Sequence, residues 1–172
     1  MNYSFAFRKF THHFCKVFPA IIFKVFNMNK KVFLGGTCNG SQWREILKPK
    51  LTIDYYDPVV PHWTEEAYQR ELIERRDCDY CLYVITPKMV GFYSVAEVID
   101  DSNKRPNKTV FCTIDKDEEE MFSKKQVNSL LAIGRMVQMN GGHWLINLDD
   151  VALFLNEGIE IKPPDSQIIE NQ

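Results

Sequence analysis

Two glutamates of this chain have positions at which a carboxylate could do chemistry. Glu97 falls in the first turn of a predicted helix, three residues after the segment GFYS of residues 91–94, and Glu71 lies on the preceding predicted helix. The amino end of a helix favours a carboxylate by about 0.3–1 kcal/mol, which is a sufficient structural reason for Glu97. The same dipole would keep the side chain ionised and nucleophilic, so both interpretations stay open. For Glu71, with Glu74 nearby, a solvated helix face is the default interpretation.

A glycine-rich turn follows the first predicted strand and precedes a helix. It contains Gly35, Gly36 and Thr37 and continues to Ser41. Such a turn lets backbone N–H groups approach an anionic or hydroxylated ligand. The spacing is neither that of a dinucleotide-binding loop nor that of a Walker A loop, and a plain tight turn explains it equally well.

Polar and aromatic side chains follow the other predicted strands. Asp54, Tyr56 and Asp57 come at the end of the second strand. The aromatic residues near the predicted loops could stack on a planar ligand or belong to the core; they are Trp43, Tyr56, Phe92 and Tyr93.

The elements that must position these residues alternate between strands and helices. We predict strands at residues 31–34, 51–55, 80–85, 109–114 and 143–146, with helices that end near residues 47, 76, 102, 139 and 156. Ser41, Thr64 and Asp149 are the predicted amino-terminal caps of three of these helices. The pattern predicts an α/β fold with a doubly wound, five-stranded parallel sheet, whose ligand crevice lies at the carboxyl ends of the strands.

The composition is that of a single globular domain. The chain has 172 residues, 45% hydrophobic and 26% charged, with a formal net charge of -2. The predicted domain lacks the dense Lys/Arg stripe that would indicate a nucleic-acid polymer as partner. No segment is predicted to span a membrane. Five irregularly spaced cysteines favour a reducing, cytoplasmic location over a disulfide scaffold. We interpret Cys78 and Cys81 as structural, because residues three apart on a strand point to opposite faces, and we predict no metal or cofactor.

The chain ends differ from this domain. Residues 1–27 are aromatic and basic and contain no Asp or Glu. They fit a poor signal peptide, a surface-binding amphipathic helix, or an extension upstream of a true start at Met28, and we favour the last. We therefore predict one domain over residues 28–157 and a polar tail over residues 158–172.

Several of these segments together resemble a known family. The order VFLGGT, SQWRE, YYDP, DCDYCLYVITP and GFYSVAE is similar to the nucleoside 2-deoxyribosyltransferase superfamily, and most similar to its 2-deoxyribosyltransferase-like branch. The resemblance extends from about Lys31 to Leu155, and GFYSVAE is its most specific part. It implies a flavodoxin-like fold, a five-stranded parallel sheet with helices on both faces, which agrees with the pattern of elements.

The resemblance also implies roles for single residues. Glu97 matches the family's nucleophile, and Glu71 matches the acidic residue that contacts the base, where the family's enzymes have Asp. The residues implied to hold the sugar or its 5′ end are Gly35, Gly36, Thr37, Gly91 and Ser94. We add Asp57 and Tyr93 as substrate-binding candidates. The family's enzymes complete each site with a neighbouring subunit, so a homo-oligomer is implied.

These expectations converge on one reaction class. The predicted activity is cleavage or transfer of the N-glycosidic bond of (deoxy)ribonucleosides or their monophosphates, with a small-molecule substrate as the partner. Two alternatives remain. One is a non-catalytic nucleotide-binding or regulatory module, and the other is a TIR-like NAD glycohydrolase, which shares the sheet and a catalytic glutamate.

Overall fold

One parallel sheet organises the molecule. The computed structural model describes residues 30–162. The sheet strands are β1 (Lys31–Gly36), β2 (Asp54–Tyr56), β3 (Tyr80–Ile85), β4 (Thr109–Thr113) and β7 (His143–Leu145). They are arranged in the order β2-β1-β3-β4-β7, and all four pairings are parallel. Two short strands, β5 (Lys116–Asp117) and β6 (Glu120–Met121), form a separate antiparallel hairpin after β4.

Helices follow the strands of the sheet in alternation. They are α1 (Trp43–Leu47), α2 (Glu65–Asp77), α3 (Tyr93–Lys104), α4 (Lys124–Met139) and α5 (Leu148–Glu157). Two short 3-10 helices, Lys48–Lys50 and Pro106–Lys108, complete the connections before β2 and β4.

Both faces of the sheet are covered by helices. β3 is buried throughout, as its apolar sequence predicts for a strand inside a parallel sheet. Alternate strand residues form a core with Trp43 and Leu47 of α1 and with the apolar side of α5. The other strand residues, including Phe33 and Phe111, form a second core with side chains of α3 and α4. The predicted fold is confirmed: the protein has a flavodoxin-like, doubly wound α/β fold.

The strand order fixes where a ligand crevice can form. From β1 the chain moves outward to β2, then returns to β3 on the other side of β1 and continues to β4 and β7. The direction of winding therefore reverses between β1 and β3. Loops that leave the carboxyl ends of two such strands diverge to opposite faces, and this opens a crevice between them.

Some predicted element boundaries were wrong. Ser41 does not cap α1. The N-cap position is Gln42, which makes no side-chain capping bond, and the Ser41 hydroxyl donates to Asp117 instead. Asn147, not Asp149, caps α5 by accepting from the backbone N–H of Asp150. The second strand was predicted over residues 51–55 but extends from Asp54 to Tyr56. The Thr64 cap is confirmed by its bond from the Ala67 N–H.

The two cysteines of the C-x-x-C segment belong to the same core. Cys78 ends α2 before the strand begins, so the expectation that it and Cys81 face opposite sides of a strand was wrong. Burial raises the pKa of the Cys78 thiol to about 11 and that of Cys81 to about 12, which keeps both protonated. Within residues 30–162, no group of three or more His, Cys, Asp or Glu side chains could hold a metal ion.

In the part that the structure describes, no helix is both long enough and apolar enough to span a bilayer. The predicted extension, residues 1–27, lies outside the described residues, as does the end of the predicted tail beyond residue 162.

Candidate active site

Glu97 is a buried carboxylate on α3, close to the carboxyl edge of the sheet. The helix begins at Tyr93, one residue earlier than predicted, so Glu97 lies in its second turn and not in its first. Its side chain is 7% exposed, and Oε1 lies 3.2 Å from Nη1 of Arg75. Burial raises the pKa of Glu97 to about 7, with further raising by Glu71 and Asp101 and partial opposition from Arg75. Desolvation therefore opposes ionisation of this carboxylate, and the helix end that was expected to favour its charge lies a turn away.

Glu71 lies one turn before Arg75 on α2 and is half-buried, so the default interpretation of a solvated face was wrong. Burial raises the pKa of Glu71, while the positive charges of Arg75 and Arg44 act to lower it. Because the charge of Glu71 also raises the pKa of Glu97, the two carboxylates are close enough to interact. The structure thus brings together the two acidic residues that the sequence singled out.

Arg44 is a buried cation that acts on Glu71 and that sequence reasoning missed. Its Nε and Nη2 donate to the Leu34 carbonyl at 3.2 and 2.9 Å, and Nη1 donates to the Thr37 carbonyl at 2.7 Å. These bonds fasten α1 to the end of β1. No spacing or motif marks this residue, because its partners are main-chain carbonyls of another element.

Asp57, a predicted substrate-binding residue, is held by two cations. Its Oδ1 lies 3.3 Å from Nε of Arg44, and its Oδ2 lies 2.7 Å from Nζ of Lys48. The carboxylate therefore fixes the loop after β2 against α1. Since Arg44 also acts on the pKa of Glu71, Asp57 borders the carboxylate pair through this arginine.

The glycine turn allows β1 and β3 to approach each other closely. Gly36 has a φ of +114°, and a Cβ there would lie 2.1 Å from the Val84 carbonyl oxygen. At Gly35 a Cβ would lie 2.9 Å from the rings of Phe33 and Tyr83. Only glycine fits such positions. The Thr37 N–H donates to the Val84 carbonyl at 2.8 Å, so this donor serves the fold.

The loop before α3 presents its side chains to solvent. Gly91 has open space where a Cβ would be, and Ser94 is half-buried in the first turn of α3. Phe92 is 77% exposed and Tyr93 is 61% exposed. Burial raises the pKa of Tyr93 and the charge of Glu97 raises it further, so Tyr93 lies near the carboxylate.

The aromatic candidates divide into two groups. Trp43 is a core residue, 2% exposed, whose Nε1 donates to the Thr37 carbonyl at 2.8 Å. Tyr56 stacks on Phe33 with ring centroids 6.1 Å apart. Phe92 and Tyr93 are the members of the set that remain available at the sheet edge.

The β5–β6 hairpin connects the loops that follow β1 and β3. Asp117 of β5 accepts a hydrogen bond from Ser41 in the loop after β1. Lys88, in the loop after β3, lies 2.7 Å from Oε2 of Glu118 and 3.7 Å from Oδ1 of Asp117. No sequence pattern predicts this hairpin, because its strands are too short and too polar for an alternating pattern.

Comparison with known proteins identifies the family. A family model described as nucleoside 2-deoxyribosyltransferase like matches residues 29–116, about half of the chain. The match spans β1 to β4 and α1 to α3 and includes all the candidate site residues. Neither the curated proteins nor the solved structures gave a match. The family is the one that the sequence resembles, although the match ends at residue 116 and the resemblance was noted as far as Leu155; the chain belongs to the nucleoside 2-deoxyribosyltransferase-like family.

Proposed function

We propose that this protein cleaves or transfers the N-glycosidic bond of (deoxy)ribonucleosides or their monophosphates, with Glu97 as the nucleophile. One observation carries the proposal. A carboxylate buried beside the sheet edge, with its pKa raised to about 7, has a second carboxylate within electrostatic reach. Such perturbed acidic pairs are more common at catalytic sites than elsewhere. The family membership gives the substrate class.

The reaction assigns a distinct task to each carboxylate. An oxygen of ionised Glu97 attacks C1′ as the C1′–N bond breaks, and the bonding electrons leave with the base. Glu71 gives the departing base a proton or a hydrogen bond to its ring nitrogen. Attack on the glycosyl ester by a second base completes a transfer, and attack by water completes a hydrolysis. In both cases the attacking N–H or O–H gives its proton to Glu71, and the electrons of the broken C1′–O ester bond stay with Glu97. Either step returns Glu97 to its carboxylate form.

The remaining candidates surround this pair in different ways. Gly91 and Ser94 lie in the open loop and helix turn before Glu97, which suits a sugar hydroxyl or a 5′-phosphate. Exposed Tyr93 is suited to stack on the base. Gly35, Gly36 and Thr37 are buried, so we assign them the shape of the crevice floor and not direct hydrogen bonds to substrate.

A screen for released base tests the proposal. Nucleosides, nucleoside 5′-monophosphates and NAD are each incubated with the protein, with and without a second free base. Glu97→Gln should abolish base release while circular dichroism stays unchanged. Glu66→Gln is the matched control, because Glu66 is an exposed carboxylate on α2.

The outcomes separate the candidate functions. Base release that persists unchanged in Glu97→Gln contradicts the nucleophile assignment. Release of nicotinamide from NAD, with no release from nucleosides, supports the glycohydrolase alternative. Binding of nucleotides without any turnover supports the non-catalytic module. Formation of a new nucleoside from the second base distinguishes transfer from hydrolysis.

A further inference from the structure

A single arginine connects the Glu97 side chain to the interior of the protein. Arg75 is a buried residue of α2, and its Nη1 lies 3.2 Å from Oε1 of Glu97. Its Nη2 donates to the main-chain carbonyl of Glu97 at 3.2 Å. The guanidinium therefore contacts Glu97 at both the carboxylate and the backbone.

The arginine is itself held by a second set of bonds. Asp101, one turn after Glu97 on α3, accepts from Nε at 3.0 Å and from Nη2 at 2.7 Å, which is a two-bond pairing. Nε also donates to the Tyr83 hydroxyl of β3 at 2.7 Å, and that hydroxyl donates to Asp101. The planar fork is thus fixed by two elements before it meets Glu97.

We propose that Arg75 is the positioning residue of the Glu97 carboxylate, with its guanidinium orientation set by Asp101 and Tyr83. This inference rests on the proposed function of Glu97. Arg75 touches neither sugar nor base in this scheme and acts through the nucleophile. Its Nη1 engages one carboxylate oxygen, which leaves the other oxygen for C1′. The sequence did not reveal this role, since α2 is a polar helix in which one arginine resembles its neighbours.

The charges around Glu97 determine what the arginine does to it. Arg75 and Arg105 act to lower the pKa of Glu97, while burial, Glu71 and Asp101 act to raise it. Tyr93 of α3 and Tyr83 of β3 are the other titratable groups close by, and Asp100 lies 3.7 Å from Arg75. Loss of the arginine charge removes an opposing interaction, so protonation of Glu97 becomes easier.

Titration of Glu97 in Arg75 variants tests the inference. The carboxyl carbon of Glu97 is followed by ¹³C NMR from pH 4 to 10, and its signal is assigned by its absence in Glu97→Gln. The Arg75→Gln variant should raise the midpoint by about 1 pH unit or more, because an opposite charge at this distance shifts a carboxyl pKa by that much. Arg75→Lys should give an intermediate midpoint. The acid limb of the pH profile of base release should move in parallel.

The control is Arg76→Met, which removes an exposed guanidinium from the same helix and should leave the midpoint unchanged. If the titration curve of Glu97 in Arg75→Gln superimposes on the curve of the unmodified protein, the inference is overturned. We expect this variant to fold, because buried Asp101 retains two partners: Nη2 of Arg105, 2.6 Å from its Oδ1, and the Tyr83 hydroxyl, which donates to it. If it does not fold, Arg75→Lys decides, since a midpoint equal to that of the unmodified protein overturns the positioning role.

The titration also separates this inference from the proposed function. It requires no turnover, so it can succeed where the screen for released base fails. If the titration midpoint of Glu97 depends on Arg75 but no base is released, the interaction between Glu97 and Arg75 is supported and the proposed reaction is contradicted. If base is released but the titration midpoint of Glu97 does not depend on Arg75, the proposed reaction is supported and the positioning role of Arg75 is contradicted.

Discussion

At the scale of single residues, the fold holds Glu97 under conditions that oppose its ionisation. The side chain is 7% exposed and its one direct cationic partner among the described residues, Arg75, is shared with Asp101. A carboxylate in such surroundings loses more from desolvation than it regains from a shared charge. The cost in stability is consistent with a functional reason for keeping the residue.

This cost gives a pH-dependent prediction for stability. The pKa of Glu97 is about 7 in the fold, against an ordinary value of 4.5. Between these values the folded protein binds more protons than the unfolded chain, so stability falls as pH rises and the loss is complete above pH 7. Glu97→Gln should therefore stabilise the protein at pH 8 by on the order of 1–3 kcal/mol. Urea unfolding at pH 8 and at pH 4.5 measures this, and an equal effect at both values would contradict it.

The second carboxylate gives a prediction for activity. Removal of a proton donor to the leaving base costs roughly 10²–10⁴-fold in rate. Glu71→Gln should show a loss in this range, measured as kcat for base release. Glu71→Asp restores the residue that the family resemblance implies and should retain most of the activity. A rate for Glu71→Gln equal to that of the Glu66→Gln control would remove Glu71 from the reaction.

The family resemblance pointed to some of these residues, and others were missed for a physical reason. Pattern alone left the role of Glu97 open and made a solvated face the default for Glu71, whereas the resemblance gave each of them a role. Arg44 and Arg75 were missed, although both are buried. Their roles depend on carbonyls and carboxylates of other elements, and such contacts leave no mark on neighbouring positions in the chain.

At the scale of elements, Gly36 lets β1 and β3 approach each other closely. Gly36→Ala would place a Cβ 2.1 Å from the Val84 carbonyl oxygen at a φ of +114°. We expect a loss of about 2–4 kcal/mol in the free energy of unfolding, because both clash and backbone strain contribute. Gly40→Ala is the control, since Gly40 has positive φ but no atom within 4 Å of the added carbon. It should lose only about 1–2 kcal/mol, from backbone strain. Equal losses in the two variants would contradict the assigned close approach.

The β5–β6 hairpin gives a second element-scale prediction. Asp117 connects it to Ser41 and to Lys88, which lie in the loops after β1 and β3. Asp117→Ala should speed amide hydrogen exchange of residues 116–121 several-fold, while global stability changes by less than about 1 kcal/mol. Glu119→Ala is the control, because Glu119 is exposed on the same hairpin. Unchanged exchange in Asp117→Ala would show that other contacts hold the hairpin.

Element boundaries followed local sequence less closely than element types did. Ser41 and Asp149 are good capping residues by type, yet Ser41 is used by Asp117 and the cap of α5 is Asn147. Several residues near a helix start can serve as a cap, and tertiary contacts select among them. Apolar β3, by contrast, has the bounds that its run of side chains predicts.

At the scale of the whole molecule, the alternation of strands and helices was sufficient to predict the fold. A right-handed crossover after each parallel strand leaves few arrangements, and the observed order β2-β1-β3-β4-β7 is one of them. The order places the glycine turn and the loop that leads into the helix of Glu97 on the same edge. The sequence pattern could not predict how deeply the side chains at that edge are buried, because burial depends on how the sheet and the helices on both of its faces pack together.

The division of the chain gives the last prediction. Helices of the described residues cover both faces of the sheet, and β1 begins at Lys31. We therefore expect a chain that starts at Met28 to fold with the same unfolding midpoint as the full chain, because helices within residues 30–162 already cover both faces of the sheet. Thermal unfolding of the two chains, together with base release under identical conditions, measures this. Removal of residues 28–34 as well is the control, and it should abolish folding by deleting most of β1. A large loss of stability on removing residues 1–27 alone would show that the extension belongs to the domain.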